Sequence, residues 1–347
     1  MNAMSDENCH NYNADEWLRA NLVCPYDFDG LKWAESFLSC PHGHEFPIIQ
    51  GVPIMPPSSS EKLKIRGARY CYQDSKMGKN NESAANDFVD NYAQQIFIDG
   101  WGAGIMNRLT KQRFLKKLTG YPVPELPLKE GIGRIFLDIG CNWGRWSLSA
   151  ARKGYRVVGI DPLFDAILAA RRVSKQQNVS AAFIVAEAGF LPFRENAFDT
   201  VFSYNVFQYF EKEYIRNALH GIVRVLKKDG GCCMIQLPNI MGIRNLYHQI
   251  CRHGGNKNYP HNEIYWKVSE MKKVFEDIVG PTQISADGYL TLNFDPSCEP
   301  YLPAWDRWVL KFSSMLLRLS IKVRWMTNFA DGVFVRSDCR KSAKSRD

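Results

Sequence analysis

The second half of the chain alternates short apolar runs with longer amphipathic stretches. Five apolar runs have the length of buried strands: Arg134–Ile139, Arg156–Ile160, Ala182–Val185, Thr200–Ser203 and Cys232–Leu237. Helical stretches lie between them, at Arg145–Lys153, Leu163–Gln176 and Glu213–Leu226. Strands that alternate with helices favour a parallel sheet with helices on both faces. Residues 131–340 are therefore predicted to form an α/β domain.

Two later segments, Gln283–Leu292 and Gly332–Val335, bring the number of predicted strands to seven. The turn at Lys228–Gly231 leads into the fifth strand, because glycine pairs of this kind mark tight turns. The alternation predicts the elements and leaves the order of the strands in the sheet open.

A glycine turn follows the first strand directly. Its sequence, residues 138–144, is Asp-Ile-Gly-Cys-Asn-Trp-Gly. Gly140 would let the backbone approach a ligand closely, and Gly144 would allow tight packing where a helix begins. Exposed N–H groups and a helix N-terminus favour a carboxylate or phosphate. A turn with a purely structural role is the alternative for this segment taken alone.

Acidic residues follow the next two strands. Asp161 stands at the end of the second strand, where a carboxylate can hold the two hydroxyls of a ribose. It can equally cap the helix that begins near Pro162. Glu187, which precedes Ala188 after the third strand, can accept a hydrogen bond from an adenine amino group, or it can be a solvated acid. Asn205 follows the fourth strand at the same ligand-binding edge.

These four motifs in order resemble the class I S-adenosylmethionine-dependent methyltransferases over residues 131–239. The resemblance implies a Rossmann-like, seven-stranded, doubly wound sheet with the last strand antiparallel. It also implies S-adenosylmethionine as cofactor, with Asp138, Gly140 and Gly144 at its methionine part, Asp161 at the ribose, Glu187 and Ala188 at the adenine, and Asn205 near the methionine end. The full predicted cofactor set is Asp138, Gly140, Cys141, Asn142, Gly144, Asp161, Pro162, Glu187, Ala188 and Asn205.

The motifs also depart from the family pattern. Asn142 replaces the usual middle glycine, Glu187 replaces the commoner Asp, and Tyr209 replaces the usual His after the fourth strand. The last change puts any inherited catalytic role at that position in doubt. A nicotinamide dehydrogenase is the competing interpretation, but its fingerprint needs three glycines in G-x-G-x-x-G, and only positions 140 and 144 carry them.

A compact block near the N-terminus has the spacing of a metal site. Cys24, Asp27, Cys40 and His44 are spaced as in a zinc ribbon with one Cys replaced by Asp. Zinc accepts thiolate, imidazole and carboxylate ligands, and a block this short has little core of its own. The block resembles the small zinc domains of some rRNA guanine methyltransferases. A degenerate ribbon without metal is the alternative, and His42 could replace His44.

The chain of 347 residues is long enough for more than one domain. We predict a flexible N-terminus at 1–21, the zinc-ribbon-like domain at 22–57 and a helical linker or cap at 58–130. The methyltransferase domain spans 131–340, with insertions at 240–282 and 303–326. There is neither a long apolar span nor a secretory signal, and the ten cysteines form no secreted disulfide pattern, so a cytoplasmic protein is expected.

The net charge of +8 is concentrated at the C-terminus. Residues 305–347 hold 10 basic and 4 acidic residues, whereas residues 1–304 hold 34 basic and 32 acidic ones. Phosphate neutralisation dominates the affinity for long nucleic acids and calls for a broader basic field. The charge pattern therefore gives no strong nucleic-acid signal.

An amphipathic helix is predicted near residues 305–325. Its apolar positions recur at helical spacing: Trp305, Trp308, Val309, Phe312, Met315, Leu316, Leu319 and Val323. Such a stripe is expected to pack on the core, cover the substrate or form a homodimer contact. Peripheral binding to an anionic membrane is the alternative, because basic residues lie beside the stripe.

Together these features predict a methyltransferase that acts on an O or N atom of a small-molecule acceptor. His248, in the segment after the fifth strand, is the candidate general base, since imidazole titrates near neutral pH; a structural or exposed histidine is the alternative. An RNA (rRNA or tRNA) methyltransferase is a second hypothesis, suggested by the zinc-like block. A catalytically degenerate binding protein is a third, suggested by Asn142 and Tyr209.

Overall fold

The computed structural model describes residues 14–55, 89–100, 120–253, 264–290, 296–302 and 304–340. The predicted tail up to Asn13 and much of the predicted 58–130 linker lie outside these ranges. Helix α1 spans Ala14–Asn21, and four short strands follow: β1 Lys32–Trp33, β2 Phe37–Ser39, β3 Glu45–Ile49 and β4 Val52–Pro53. They form a small antiparallel sheet in chain order, and helix α2, Asn91–Gly100, comes next.

Seven strands form the central sheet. They are β5 Ile135–Ile139, β6 Arg156–Asp161, β7 Ala181–Val185, β8 Thr200–Ser203, β9 Cys232–Pro238, β10 Thr282–Gly288 and β11 Gly332–Asp338. Their order is β10-β11-β9-β8-β5-β6-β7. The pairs among β5 to β9 are parallel, whereas β11 is antiparallel to both of its neighbours. The predicted Rossmann-like sheet with an antiparallel last strand is confirmed.

Helices connect these strands. They are α3 Arg145–Arg152, α4 Phe164–Gln176, α5 Lys212–Val225, α6 Ile243–His253, α7 Val268–Ile278 and α8 Ala304–Lys322. In the described ranges, the connections also contain 3-10 helices at Phe207–Tyr209, Pro296–Tyr301 and Arg324–Phe329. None of the helices in the described ranges has the length and apolar character needed to cross a bilayer.

Alternate side chains of the central strands fill two separate cores. Leu137 of β5 belongs to a large cluster with Val201 and Ile235. Its neighbour Phe136 belongs to a second cluster with Phe202. Successive side chains of a strand point to opposite faces, so a strand that is apolar throughout needs cover on both sides. This burial explains why the strands appear in the sequence as continuous apolar runs.

The N-terminal block packs against the β7 side of the central sheet. The Met55 N–H donates to the Val185 carbonyl at 2.8 Å. The Trp17 ring lies 5.3 Å from that of Phe198, centroid to centroid. Residues 14–21, predicted as part of a flexible N-terminus, form helix α1, and Trp17 packs this helix against the core of the larger domain.

Helix α8 presents its apolar stripe to solvent. Trp305 and Trp308 expose 70% and 71% of their surface, and Phe312, Met315 and Leu319 are also exposed. The buried positions of the helix are Asp306, Leu310, Ser313 and Ser320. The expected core packing of the stripe is therefore wrong for these five side chains. Small and polar residues face inward instead, where the Ser313 hydroxyl accepts a hydrogen bond from the Tyr289 N–H at 3.1 Å.

Candidate functional site

The carboxyl ends of four parallel strands bring the predicted site together. Ile139 of β5 pairs with Ile160 of β6 and with Ser203 of β8. Asp161, the last residue of β6, pairs with Val185 of β7. Residues that end or follow these strands therefore share one edge of the sheet, as in ligand sites of open α/β folds.

Asp138 anchors the start of the first helix after the glycine turn. Its side chain is buried and accepts a hydrogen bond from the Ser147 hydroxyl at 2.7 Å. Burial raises the pKa of Asp138 to about 7, while the hydrogen bonds from Ser147 oppose the rise. The carboxyl group thus ties β5 to α3 beneath the turn.

The turn itself needs left-handed backbone at three positions. Gly140 has a φ of 73°, Asn142 of 49° and Gly144 of 87°. A Cβ added to Gly140 would lie 2.3 Å from Cγ2 of Val206, so no larger residue fits there without a shift. Asn tolerates the left-handed region better than most residues, which explains how Asn142 can stand at the usual glycine position.

The N–H groups of the turn already have partners within the protein. The five donors and their acceptors are Gly140 and Cys141 to the Ile160 carbonyl, Asn142 to Asp161 Oδ2, Trp143 to Asn142 Oδ1, and Gly144 to the Cys141 carbonyl. The expected exposed N–H groups are therefore wrong for these five positions, because three of them bond to β6 and two bond within the turn. The Cys141 thiol is buried in the core and serves packing.

Asp161 fastens the turn to the next helix. Its Oδ2 accepts from the Asn142 N–H at 3.0 Å, and its Oδ1 accepts from the Leu163 N–H at 2.9 Å, across Pro162. Burial raises the pKa of Asp161 to about 6, and these two backbone hydrogen bonds oppose the rise. The predicted capping role is present, and each oxygen retains a further lone pair for a ligand.

Glu187 carries an unsatisfied acceptor. Its Oε2 is buried and has no hydrogen-bond partner among the described residues. Burial raises the pKa of Glu187 to about 7. Buried polar atoms in native proteins nearly always have a partner, so this oxygen fits a ligand that donates a hydrogen bond. Ala188 beside it is buried.

A polar cluster that the sequence did not indicate lies at the same edge. Asp287, near the end of β10, accepts a hydrogen bond from the Tyr204 hydroxyl at 3.0 Å. The Gln236 side chain also bonds to Asp287, and its Oε1 accepts from the Asn205 N–H at 3.2 Å. Asn205 thus links the cluster to the end of β8.

Burial raises the pKa of Asp287 to about 6, while the hydrogen bonds from Tyr204 and Gln236 and the charge of Arg145 oppose the rise. Asp287 is only half-buried and Tyr204 is also partly exposed, so both face accessible space. No local motif could have marked Asp287, because β10 comes late in the chain and reaches this edge only through the sheet order.

The four predicted metal ligands converge in the N-terminal block. Ligand atoms of Cys24, Asp27, Cys40 and His44 all lie within 4.8 Å of one another. His44 Nδ1 lies 3.4 Å from Cys24 Sγ, 3.3 Å from Cys40 Sγ and 3.1 Å from Asp27 Oδ2. Two thiols, a carboxylate and an imidazole are donors that tetrahedral zinc accepts. His42 instead contacts Asp29 at 2.9 Å, which supports His44 as the fourth donor.

His248 lies on α6, and its role as general base stays a prediction. The remaining predicted residues all lie at the turn, at the strand ends or in the N-terminal block. A sheet of this order, with a glycine turn after its first central strand and acids after the next two, defines a class of donor-binding α/β enzymes: the class I, S-adenosylmethionine-dependent methyltransferases.

Comparison with known proteins agrees. Residues 136–230 match the family model described as a methyltransferase domain. These residues thus lie in a methyltransferase domain, and the sheet around them has the class I methyltransferase fold. No curated protein matches the chain significantly.

Several solved structures are similar. The PH0226 protein of Pyrococcus horikoshii OT3 is 27% identical with a TM-score of 0.30, over 35% of this chain and 53% of that one. The match thus spans about half of that protein's length. Phosphoethanolamine N-methyltransferase 2 of Haemonchus contortus, solved with phosphomonomethylethanolamine and S-adenosylhomocysteine, is 18% identical with a TM-score of 0.44, over 72% and 58%. A chain from the Haloferax volcanii complex of the Trm112 methyltransferase activator with a methyltransferase is 19% identical with a TM-score of 0.42, over 72% and 93%.

Proposed function

We propose that the protein transfers a methyl group from S-adenosylmethionine to an oxygen or nitrogen atom of a small-molecule acceptor, with Asp287 as the base. The observation that carries this proposal is the Asp287 carboxyl group, held by Tyr204 and Gln236 at the carboxyl edge beside Asn205. A carboxyl group with a pKa of about 6 is mostly ionised at neutral pH and still close enough to it to take a proton.

The donor is proposed to lie across the ends of β5, β6 and β7. Asp161 would accept from the ribose hydroxyls, and the unsatisfied Glu187 Oε2 would accept from the adenine amino group. Gly140, whose Cβ position is closed by Val206, and the left-handed Asn142 would shape the turn beside the methionine part. The donor supplies a methyl group on a positively charged sulfur.

The acceptor is proposed to bind beside Asp287, Tyr204 and Arg145. Transfer breaks the bond from sulfur to the methyl carbon and forms a bond from that carbon to the acceptor atom. The acceptor proton passes to the Asp287 carboxylate, and S-adenosylhomocysteine leaves. An in-line displacement of this kind depends strongly on positioning, which the hydrogen bonds to Asp287 provide. The nearly even charge of residues 1–304 favours a small acceptor over a long RNA.

Two variants separate donor binding from transfer. Asp161→Ala should weaken S-adenosylmethionine binding by about 5- to 150-fold by calorimetry, because the ribose loses a buried acceptor worth about 1–3 kcal/mol. Asp165→Ala, an exposed acid on the following helix, is the matched control and should bind normally. Asp287→Asn should bind the donor normally and lose methyl transfer by a factor of about 10²–10⁴.

Labelled donor incubated with fractionated host extract identifies the acceptor, and the variants are then assayed on it. In wild type, kcat should rise with pH through about 6, and Asp287→Asn should abolish that rise. Label in RNA in place of small molecules would contradict the acceptor class. Loss of transfer in His248→Ala with normal transfer in Asp287→Asn would assign the base to His248.

A further inference from the structure

We propose that α8 and the 3-10 helix Arg324–Phe329 dock the protein on an anionic lipid surface. The apolar stripe of α8, defined as Trp305, Trp308, Phe312, Met315 and Leu319, follows one line of the helix and is exposed along its whole length. Trp325 and Phe329 continue the exposed apolar surface beyond the helix. This inference goes beyond methyl transfer and does not depend on the acceptor.

The side of α8 opposite the stripe is the side that packs against the protein. The opposite side carries Asp306, Ser313 and Ser320 at intervals of seven residues, and these side chains are buried. The Tyr289 N–H fixes this side through its bond to Ser313. Leu310 adds a buried apolar contact on the same side. The fold therefore holds the small polar side inward and the aromatic side outward.

The charges beside the stripe specify the surface that it fits. Arg307, Lys311, Arg318 and Lys322 are all exposed and, at 100° per residue, form a row along one flank of the stripe. Asp306 is the only acidic residue of the helix, and it is buried; outside the helix, Glu299 lies 3.3 Å from Lys311. An outward aromatic face flanked by cations is the pattern of a helix that lies in the plane of an anionic bilayer. Tryptophan is enriched at that interface because its ring is apolar and its N–H is polar.

A second exposed apolar group adjoins the end of this surface. Helix α6 exposes Ile243, Tyr247 and Ile250. The Arg244 N–H donates to Asp331 Oδ1 at 2.7 Å, which places the start of α6 beside the segment that follows Phe329. Binding by two neighbouring elements would explain why both carry exposed apolar side chains.

Co-sedimentation with vesicles tests the proposal on the full-length protein. Wild type should bind vesicles of phosphatidylcholine with one third phosphatidylglycerol at least tenfold more tightly than pure phosphatidylcholine vesicles, and salt should weaken the binding. Trp305→Ser/Trp308→Ser/Phe312→Ser should lose vesicle binding. Replacing the four cations of the row by Gln should reduce binding to the level of neutral vesicles, at about fivefold per charge.

Matched controls guard against general effects of charge and hydrophobicity. Ile132→Ser removes an equally exposed apolar side chain elsewhere, and Lys32, Lys129, Lys175 and Lys228 are exposed lysines on other elements that can be replaced by Gln together. Both controls should bind vesicles like wild type, and all variants should bind S-adenosylmethionine. Binding to neither vesicle, or unchanged binding of the stripe variant, would overturn the proposal. So would a wild-type dimer that the stripe variant converts to a monomer, because a second copy would then cover the stripe.

Discussion

At the scale of single residues, the glycine turn at residues 138–144 requires left-handed backbone, and the side chains of Asn142 and Asp161 each contribute to holding it in place. Asn142 occupies left-handed backbone with a φ of 49° while its Oδ1 accepts from the Trp143 N–H. Asp161 accepts from the turn and from the next helix with one oxygen each. Asn142 therefore supplies left-handed backbone at the position where glycine was expected, because Asn adopts this conformation more readily than most residues.

Gly140 and Gly133 offer a matched test of this turn. Both have nearly the same positive φ, 73° and 74°, but an added Cβ meets Val206 at 2.3 Å in the first and nothing within 4 Å in the second. Gly140→Ala should lower the free energy of unfolding by about 1–3 kcal/mol more than Gly133→Ala, because only it adds overpacking to the backbone strain. Urea denaturation measures both. Equal losses of unfolding free energy in the two variants would show that the Val206 side chain can move aside without an energetic penalty.

Residue-scale prediction from the sequence had clear limits. Asp161 and Glu187 could be found because they directly follow recognisable strands. Asp287 could not, because its partners are far away in the chain: Gln236 lies on β9, and Tyr204, which follows β8, is 83 residues away. The hydrogen bonds of the turn's N–H groups could not be predicted either, since Gly140 and Cys141 donate to a carbonyl of the neighbouring strand and Asn142 donates to the Asp161 side chain.

At the scale of elements, the N-terminal block depends on a few cross-links. Its strands are two to five residues long, too short to bury much apolar surface of their own. The four converging donors, Cys24, Asp27, Cys40 and His44, would hold its loops together if they bind zinc. The spacing in the sequence predicted these four residues, and the structure brings their ligand atoms together.

We expect about one zinc ion per chain in purified protein by elemental analysis, because the donor set suits a closed structural site. Cys24→Ser and His44→Ala should lower both the zinc content and the melting temperature. Cys339→Ser and His42→Ala are the controls, since neither residue belongs to that four-donor cluster. Metal-free wild type with an unchanged melting temperature would remove zinc from the block.

Helix α8 shows how an element can be predicted while its orientation is not. Its periodicity identified both the helix and the apolar stripe. One expectation was that the apolar stripe packs on the core. In the structure the side with Ser313 and Ser320 is buried instead. The periodicity shows that apolar and polar side chains lie on different sides of the helix. It does not show which of these sides packs against the rest of the protein.

At the scale of the whole molecule, the carboxyl edge concentrates acids whose pKa values are raised by burial. The pKa values of Asp138 and Glu187 are raised to about 7, and those of Asp161 and Asp287 to about 6. Their ordinary values lie near 4. The folded protein therefore binds more protons than the unfolded chain between about pH 4 and pH 7.

Stability of the ligand-free protein should consequently fall as pH rises through this window, since stability decreases with pH wherever the folded state holds the extra protons. Urea unfolding at pH 5 and pH 7.5 measures the change. Glu187→Gln, which carries no titratable proton, should show a smaller fall than wild type. Glu195→Gln, an exposed acid on the loop before β8, should behave like wild type. Equal slopes for all three proteins would contradict the raised pKa of Glu187.

The sequence by itself determined the seven strands, the glycine turn, the acids at the strand ends and the four donors of the N-terminal block. These features are local: a buried strand must be apolar, a tight turn needs glycine or asparagine, and a metal site uses few residue types. Only the tertiary structure decided that β10 brings Asp287 beside Tyr204, that the turn satisfies its own N–H groups, and that α8 faces its aromatic side outward. Each of these depends on contacts between segments far apart in the chain, and no local pattern records such contacts.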